Sequence, residues 1–359
     1  MRFLALLSIV SLFFQNQPKR LIIDISQVYQ LELSSIASKV IPIPLKTSRF
    51  PFTNIEKVFF LNDNIYVLNN SDTKGSLYSQ VLKFDLGGNL QTQIGEKERK
   101  SNEFLRVYDM KFDKGTNLLH LVYSDCNRVY DAVGNLKDLY KREDKSPGFR
   151  KLQEIIHKGK IWRAEKYSND SVVYYDIIES DLNGKNVSKI KTLNFKISQH
   201  DSNLGIESNH LVHFSIHENE VYLSCGIDNT IYKIINNKLI PEYVIEFKNQ
   251  AQPTDHIYRA SKQIIIGRYI LNEYINNYMQ YDFIYDCITD MTYSMKFHPE
   301  IGIVNPGIID NLFNTGYFDL NQTNTEDYIY FIKKTEEIRG INTYDPKQTN
   351  IIIFLVKLK

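Results

Sequence analysis

A short polar turn followed by an apolar strand recurs along this chain, and that recurrence restricts the fold more than any other feature. It stands at Leu61-Asn62-Asp63-Asn64-Ile65-Tyr66-Val67-Leu68 and at Lys114-Gly115-Thr116-Asn117-Leu118-Leu119-His120-Leu121. It returns at His157-Lys158-Gly159-Lys160-Ile161-Trp162 and His217-Glu218-Asn219-Glu220-Val221-Tyr222-Leu223. Weaker copies are Lys262-Gln263-Ile264-Ile265-Ile266 and Thr325-Glu326-Asp327-Tyr328-Ile329-Tyr330-Phe331. Six copies at spacings of roughly 40 to 65 residues match the period of propeller blades. Polar pairs between apolar runs are hairpin signals, because Asn, Asp and Gly tolerate the positive φ of tight turns.

A second hairpin follows each of the first five copies. Phe84-Asp85-Leu86-Gly87-Gly88-Asn89-Leu90, Tyr130-Asp131-Ala132-Val133-Gly134-Asn135-Leu136 and Glu179-Ser180-Asp181-Leu182-Asn183-Gly184-Lys185 carry it, as does Ile235-Asn236-Asn237-Lys238-Leu239. Asp286-Cys287-Ile288-Thr289-Asp290 is a degenerate fifth. Two hairpins make a four-stranded blade. The sixth unit ends after one further strand, residues 350–359, so an outer strand is missing there. The segment Lys39-Val40-Ile41-Pro42-Ile43-Pro44-Leu45 has the composition to supply it, since proline suits an edge strand that owes no ladder hydrogen bond. The expected fold is all-β: a six-bladed β-propeller of four-stranded antiparallel blades, its ring closed by an N-terminal strand. With 24 Tyr, 20 Phe and one Trp, the aromatic content fits half-buried pleated surfaces.

Residues 1–20 differ in character from the remainder of the chain. Met1-Arg2 precedes an apolar run over 3–14 and then Gln15-Asn16-Gln17-Pro18-Lys19-Arg20, the pattern of a secretory signal and too short for a comfortable transmembrane helix. Residues 1–20 are therefore expected to be a signal peptide or N-terminal anchor, and 21–359 one propeller. The expected location is exported, in the periplasm or cell envelope. No lipobox cysteine is present, since Cys126 is the first cysteine. Membrane contact is expected only through the N-terminal segment if it is uncleaved. Cys126, Cys225 and Cys287 have neither metal-ligand spacing nor the even count of a disulfide framework, and are read as buried thiols. The net charge of +1, from 43 basic and 42 acidic residues without a long run of either sign, gives no nucleic-acid footprint.

The chain resembles the six-bladed β-propeller proteins abundant in the cell envelopes of Bacteroidetes bacteria. The resemblance is carried by Leu33-Ser34-Ser35-Ile36 leading into Val40-Ile41-Pro42-Ile43-Pro44-Leu45-Lys46-Thr47, by Ile55-Glu56-Lys57-Val58, by Val81-Leu82-Lys83-Phe84-Asp85, and by Gln93-Ile94-Gly95 through Glu103-Phe104. It departs at Lys100-Ser101-Asn102, where the family has a Gly-Pro-Gly-like turn, and in lacking a lipobox cysteine. The resemblance implies fold and location, and brings no catalytic motif with it.

Chemistry-bearing residues are sparse. His210, His213 and His217 lie on an alternating strand pattern, which puts the outer two about 23 Å apart at 3.3 Å per residue and excludes a shared metal. Asp63, Asp85, Asp131, Asp181 and Asp290 sit where Asp stabilises a turn. The better candidates are the connections between one blade's outer strand and the next blade's inner strand, residues 47–54, 96–106, 141–151, 198–210, 248–259 and 298–311. These carry Arg49, Arg99, Arg106, Arg150, His200, His256, Arg259 and His298 towards one rim of the channel. Such a rim suits an anionic sugar, peptide carboxylate or phosphate. The functional expectation is a non-catalytic ligand-binding or scaffold propeller, a monomer taking a small molecule, glycan or protein, with no cofactor. The alternative is a metal-dependent hydrolase or lyase, for which His200, His256 and His298 are the trio available from three rim connections.

Overall fold

Residues with positive φ set the hairpins. The pairs Asn62–Asp63, Lys158–Gly159, Glu218–Asn219 and Asn236–Asn237 all take left-handed backbone, the geometry that two-residue hairpin loops require. In the computed structural model, residues 17–24, 31–46, 52, 54–73, 76–95, 106–123, 126–141, 153–169, 172–196, 212–226, 228–248, 259–276, 279–294, 308–318, 320–338 and 350–359 are described.

The chain enters through β1 (Lys19–Asp24), a short helix α1 (Leu33–Ile36) and β2 (Ala37–Pro44). Blade 1 is β3 (Asn54–Leu61), β4 (Asn64–Thr73), β5 (Ser76–Asp85) and β6 (Leu90–Ile94). Blade 2 is β7 (Asp109–Asp113), β8 (Leu118–Val122), β9 (Cys126–Tyr130) and β10 (Leu136–Lys141). Blade 3 is β11 (Gln153–His157), β12 (Lys160–Asn169), β13 (Val172–Asp181) and β14 (Ser188–Lys196). Blade 4 is β15 (Val212–His217), β16 (Glu220–Cys225), β17 (Thr230–Ile235) and β18 (Lys238–Lys248). Blade 5 is β19 (Arg259–Ile266), β20 (Tyr269–Asn276), β21 (Met279–Asp286) and β22 (Met291–Ser294). A hairpin of β23 (Ile308–Asp310) and β24 (Gly316–Phe318) then precedes blade 6, which is β25 (Asn321–Gln322), β26 (Tyr328–Lys334), β27 (Ile351–Leu358) and the N-terminal β2.

The expected closure is present. β2 pairs antiparallel with β27, Val40 opposite Val356 and Ile43 opposite Ile353, so the first and last segments share one sheet. Leu45 and Lys46 then continue the chain towards blade 1, the Lys46 amide donating to the Gly88 carbonyl at 2.8 Å. Gly88 has φ 76°, and a Cβ there would lie 1.8 Å from the Pro44 carbonyl oxygen, so only glycine fits this contact.

Apolar clusters cement neighbouring blades. Ile43, Val58, Leu82 and Phe84 meet Ile353 and Leu355 between blades 6 and 1, and Tyr66, Leu68 and Val81 meet Met110 and Leu121 between blades 1 and 2. Similar clusters join blades 3 to 4, 4 to 5 and 5 to 6. Among the described residues, the seam between blades 2 and 3 differs: it holds the buried Lys111–Glu154 ion pair, with Asp113 and His120 also buried.

Three features were not anticipated. β1 adds a fifth, parallel strand to blade 4, Leu21 opposite Ile245, with Leu21 and Ile23 fully buried. It begins at Lys19, two residues inside the segment assigned to the leader. The β23–β24 hairpin packs Ile308 and Phe318 against Leu31, Leu33 and Ile36. The fifth repeat is out of phase as read: Gln263 to Ile266 is the inner strand itself, and the turn falls at Gly267-Arg268, where Gly267 has φ 54°. The apolar run is indistinguishable by composition from a second strand, and glycine marks the true turn. The three cysteines form no disulfide, and Cys126 and Cys225 are buried.

Candidate functional site

In a four-stranded meander the first and third turns fall at one end and the connection to the next blade at the other. The inner strands therefore run from a crossover mouth, where the blade-to-blade connections lie, to a hairpin mouth bearing the inner turn of each blade, while blade twist carries outer turns round the circumference, that of blade 1 onto Pro44 and Lys46 and that of blade 2 onto Ile94. The first strands of successive blades touch one another, β3 to β7, β7 to β11, β11 to β15 and β15 to β19, so these inner strands surround the channel between the two mouths.

The inner turns at the hairpin mouth are bridged by contacts across the ring. Glu326, in the inner turn of blade 6, accepts the Glu218 amide of blade 4 at 2.7 Å and pairs with Lys114 of blade 2 at 3.4 Å. His217 Nδ1 lies 3.8 Å from the same carboxylate. Blades 2, 4 and 6 are not neighbours in a six-membered ring, so a carboxylate touching all three lies across its interior. Burial works against the charged form of Glu326, but the Glu218 amide and Lys114 ammonium outweigh it and hold its carboxyl below the usual range. Neighbouring turns are tied in too. Asp113 Oδ1 accepts the Gly115 and Lys158 amides, and its Oδ2 accepts Thr116 Oγ1 and the Gly159 amide. His157 Nε2 and Lys158 Nζ reach the Asn219 carbonyl, and the Phe60 amide donates to Asn324 Oδ1. Asp113 accordingly satisfies turns of two blades at once, a structural role with no acceptor capacity aimed at solvent.

The crossover mouth is different. Arg106, just ahead of the inner strand of blade 2, places its guanidinium carbon 5.0 Å from the centre of the Tyr108 ring, a cation–π arrangement that fixes its fork. Beside it Lys57 of β3 bonds Asp109 at 2.7 Å, both side chains about one third exposed. Burial raises the Asp109 carboxyl, but Lys57 and Lys111 outweigh that and hold it below the ordinary range. Deeper, Lys111 pairs with Glu154 of blade 3, both almost wholly buried. A row of alternating charges, Lys57, Asp109, Lys111 and Glu154, thus runs along the inner strands from the crossover end.

Of the residues expected on the rim, Arg106 is placed there. Arg259 opens the inner strand of blade 5, opposite Ile275, rather than sitting in the connection before it; blades 2 and 5 face each other across the ring. Arg49, Arg99, Arg150, His200, His256 and His298 lie outside the described residues, as do His210 and Lys100-Ser101-Asn102. Sequence reasoning missed the inner-strand charges, although Asp109-Met110-Lys111-Phe112-Asp113 alternates charge with apolar residue and could have signalled them. The turn reading of Asp85 and Asp131 holds: each carboxylate accepts amides of its own turn, Asn89 for Asp85 and Val133, Gly134 and Asn135 for Asp131. Among the described residues, no group of three or more His, Cys, Asp or Glu could hold a metal.

Six four-stranded antiparallel blades around a channel, closed by an N-terminal strand, define a six-bladed β-propeller. The chain belongs to the family DUF5128, 6-bladed beta-propeller, whose profile matches residues 14–298. A Bacteroides fragilis protein classed as exported has a similar structure, with TM-score 0.57 and 13% identity over 95% of this chain and 100% of that one. A DUF4221 family member from Bacteroides vulgatus matches with TM-score 0.48 and 11% identity over 93% and 99% of the two chains. No curated protein matches the chain significantly.

Proposed function

We propose that this propeller is an exported, non-catalytic binding module of the cell envelope, taking a ligand with an anionic group at its crossover mouth. One observation carries the reading: a network spanning blades 2, 4 and 6 occupies the hairpin mouth, so a ligand reaches the channel from the side of Arg106 and the Lys57–Asp109 pair. A guanidinium already stacked on an aromatic ring loses little freedom when it binds a carboxylate or phosphate. Binding residues also concentrate on loops held by a rigid scaffold, which is what the connections of this face are. Export is supported by the apolar run over 3–14 behind Arg2 and by the likeness to the exported-class protein.

The test is a calorimetric screen of acidic sugars, acidic peptides and phosphates against the protein and an Arg106→Ala, Arg259→Ala double variant. A ligand whose affinity falls at least about tenfold in the variant supports the reading, as loss of a charge-assisted contact predicts. A ligand bound equally by both proteins removes these arginines from the site. Stoichiometric zinc or calcium in purified protein would replace the binding reading with a metal-dependent one.

A further inference from the structure

Alternation along the strands settles which side chains line the polar seam between blades 2 and 3. On blade 3, Ala164, Tyr175 and Ile177 belong to the apolar cluster shared with blade 4. Arg163, Glu165, Tyr167, Tyr174 and Asp176, at the alternate positions, therefore turn towards blade 2. On blade 2, Tyr130 belongs to the cluster shared with blade 1, and Arg128 lies over the Tyr123 ring of that cluster. Asn127, one position on, turns towards blade 3.

At the crossover end this seam has an aromatic wall. Tyr167 of β12 and Tyr174 of β13 are cross-strand partners whose rings stack with centroids 5.0 Å apart and planes 6° from parallel. The Tyr167 hydroxyl donates to Asp176 Oδ1 at 3.4 Å. Asp176 is held in turn by Thr192 Oγ1 at 2.6 Å and by Lys189 at 2.7 Å. Stack and hydrogen bond fix the Tyr167 ring, yet it is 45% exposed. Two residues along β12, Glu165 pairs with Arg163 at 2.8 Å, and both side chains are partly open to solvent.

A second observation points to a ligand. Asn127 is 4% exposed, and its Oδ1 is buried without a hydrogen-bond partner among the described residues. A buried acceptor destabilises the fold until a donor reaches it. The acids of this wall are already matched by cations, Asp176 by Lys189 and Glu165 by Arg163, so the seam calls for hydroxyl donors rather than for an ion. An aromatic face carries negative potential. A sugar ring lays its polarised C–H bonds on such a face and offers hydroxyls at its edge to the surrounding polar groups.

We propose that the crossover end of the seam between blades 2 and 3 binds a neutral saccharide, one sugar ring stacked on Tyr167 and its hydroxyls directed at Glu165 and the Asn127 carboxamide. The site is separate from the anion site at Arg106, and the two stand or fall independently.

The test is calorimetry with maltotetraose, cellotetraose, xylotetraose and mannotetraose, all neutral. The protein should bind at least one of them, and Tyr167→Ala should weaken that binding at least about tenfold. Tyr167→Phe keeps the ring and should stay within about threefold of the wild type. Asn127→Leu fills the same volume without an acceptor and should weaken binding at least about fivefold. The Arg106→Ala, Arg259→Ala variant should bind the saccharide as the wild type does. Binding of none of the four overturns the site, as does binding unchanged in a Tyr167→Ala or Asn127→Leu protein that melts cooperatively. Either result leaves the anion reading at Arg106 untouched. Loss of the saccharide in the double arginine variant overturns the separation of the two sites.

Discussion

The seam between blades 2 and 3 should make this propeller lose stability in mild acid, before most carboxylates titrate. His120 on β8 is 1% exposed, stands opposite Lys111 in the strand register, and its Nε2 meets no hydrogen-bond partner among the described residues. Burial pushes its pKa from the ordinary 6.5 down to about 4; Asp113 and Glu154 draw it back up, while Lys111 pushes it further down. A base with a depressed folded-state pKa is neutral in the native protein and charges on unfolding. Its contribution is therefore complete above pH 6.5 and is lost as pH falls from there towards 4. At pH 5 nearly every unfolded chain carries the proton and about one folded chain in ten does, which costs roughly 2 kcal/mol relative to neutral pH. For a domain of this size that is about 3 °C in melting temperature.

The perturbation that isolates this effect is His120→Leu, which removes the titration and keeps the seam filled. Urea unfolding of both proteins at pH 7 and pH 5 gives two stability losses, and their difference belongs to residue 120. Wild type should lose roughly 2 kcal/mol more than the variant over this interval. Asp113, Lys111 and Glu154 are present in both proteins, so the comparison isolates residue 120. Equal losses would refute the reasoning, showing that the imidazole is protonated or solvated in the native state.

Ring closure predicts that deleting residues through 47 leaves no cooperative melting transition, since β2 supplies the outer strand of blade 6 and Ile43 and Leu45 are fully buried. Deleting through 18 should leave the melting temperature unchanged, whereas deleting through 24 should lower it by several degrees, because Leu21 and Ile23 leave the core between blades 4 and 5. Gly88→Ala should cost about 2–4 kcal/mol in urea titrations, from positive φ together with the clash at the Pro44 carbonyl. Glu326→Gln should cost about 1 kcal/mol at pH 7. The cost should shrink as pH falls below the ordinary carboxylate range and vanish once pH passes through the lowered folded-state pKa, since a carboxyl held low by its partners contributes fully only above its unfolded pKa.

What was legible in the sequence is what local chemistry dictates. Asn, Asp and Gly pairs between apolar runs must turn, and alternation must give strands, so the blades and the closing strand could be read without coordinates. The errors fell where two readings have the same composition. Gln263-Ile264-Ile265-Ile266 serves equally as a first or second strand, and only Gly267 breaks the tie. Lys19-Arg20-Leu21-Ile22-Ile23-Asp24 looks like the polar flank of a leader running into an ordinary strand. Its parallel docking on β18 depends on a surface built some 220 residues later, which no local pattern can announce.

The site was legible only in outline for a related reason. Turn chemistry places each rim residue on a face, and Arg106 did fall on the crossover side; what a residue pairs with there depends on ring geometry. Glu326 reads in sequence as an ordinary turn acid, yet closing six blades sets it against Lys114 and the Glu218 amide from two other blades. The same closure makes the faces unequal. One spends its polar groups on contacts between inner turns, while the other leaves Arg106, Lys57 and Asp109 partly open to solvent. If the proposed function holds, that asymmetry makes the crossover mouth the side on which a ligand meets open charged side chains.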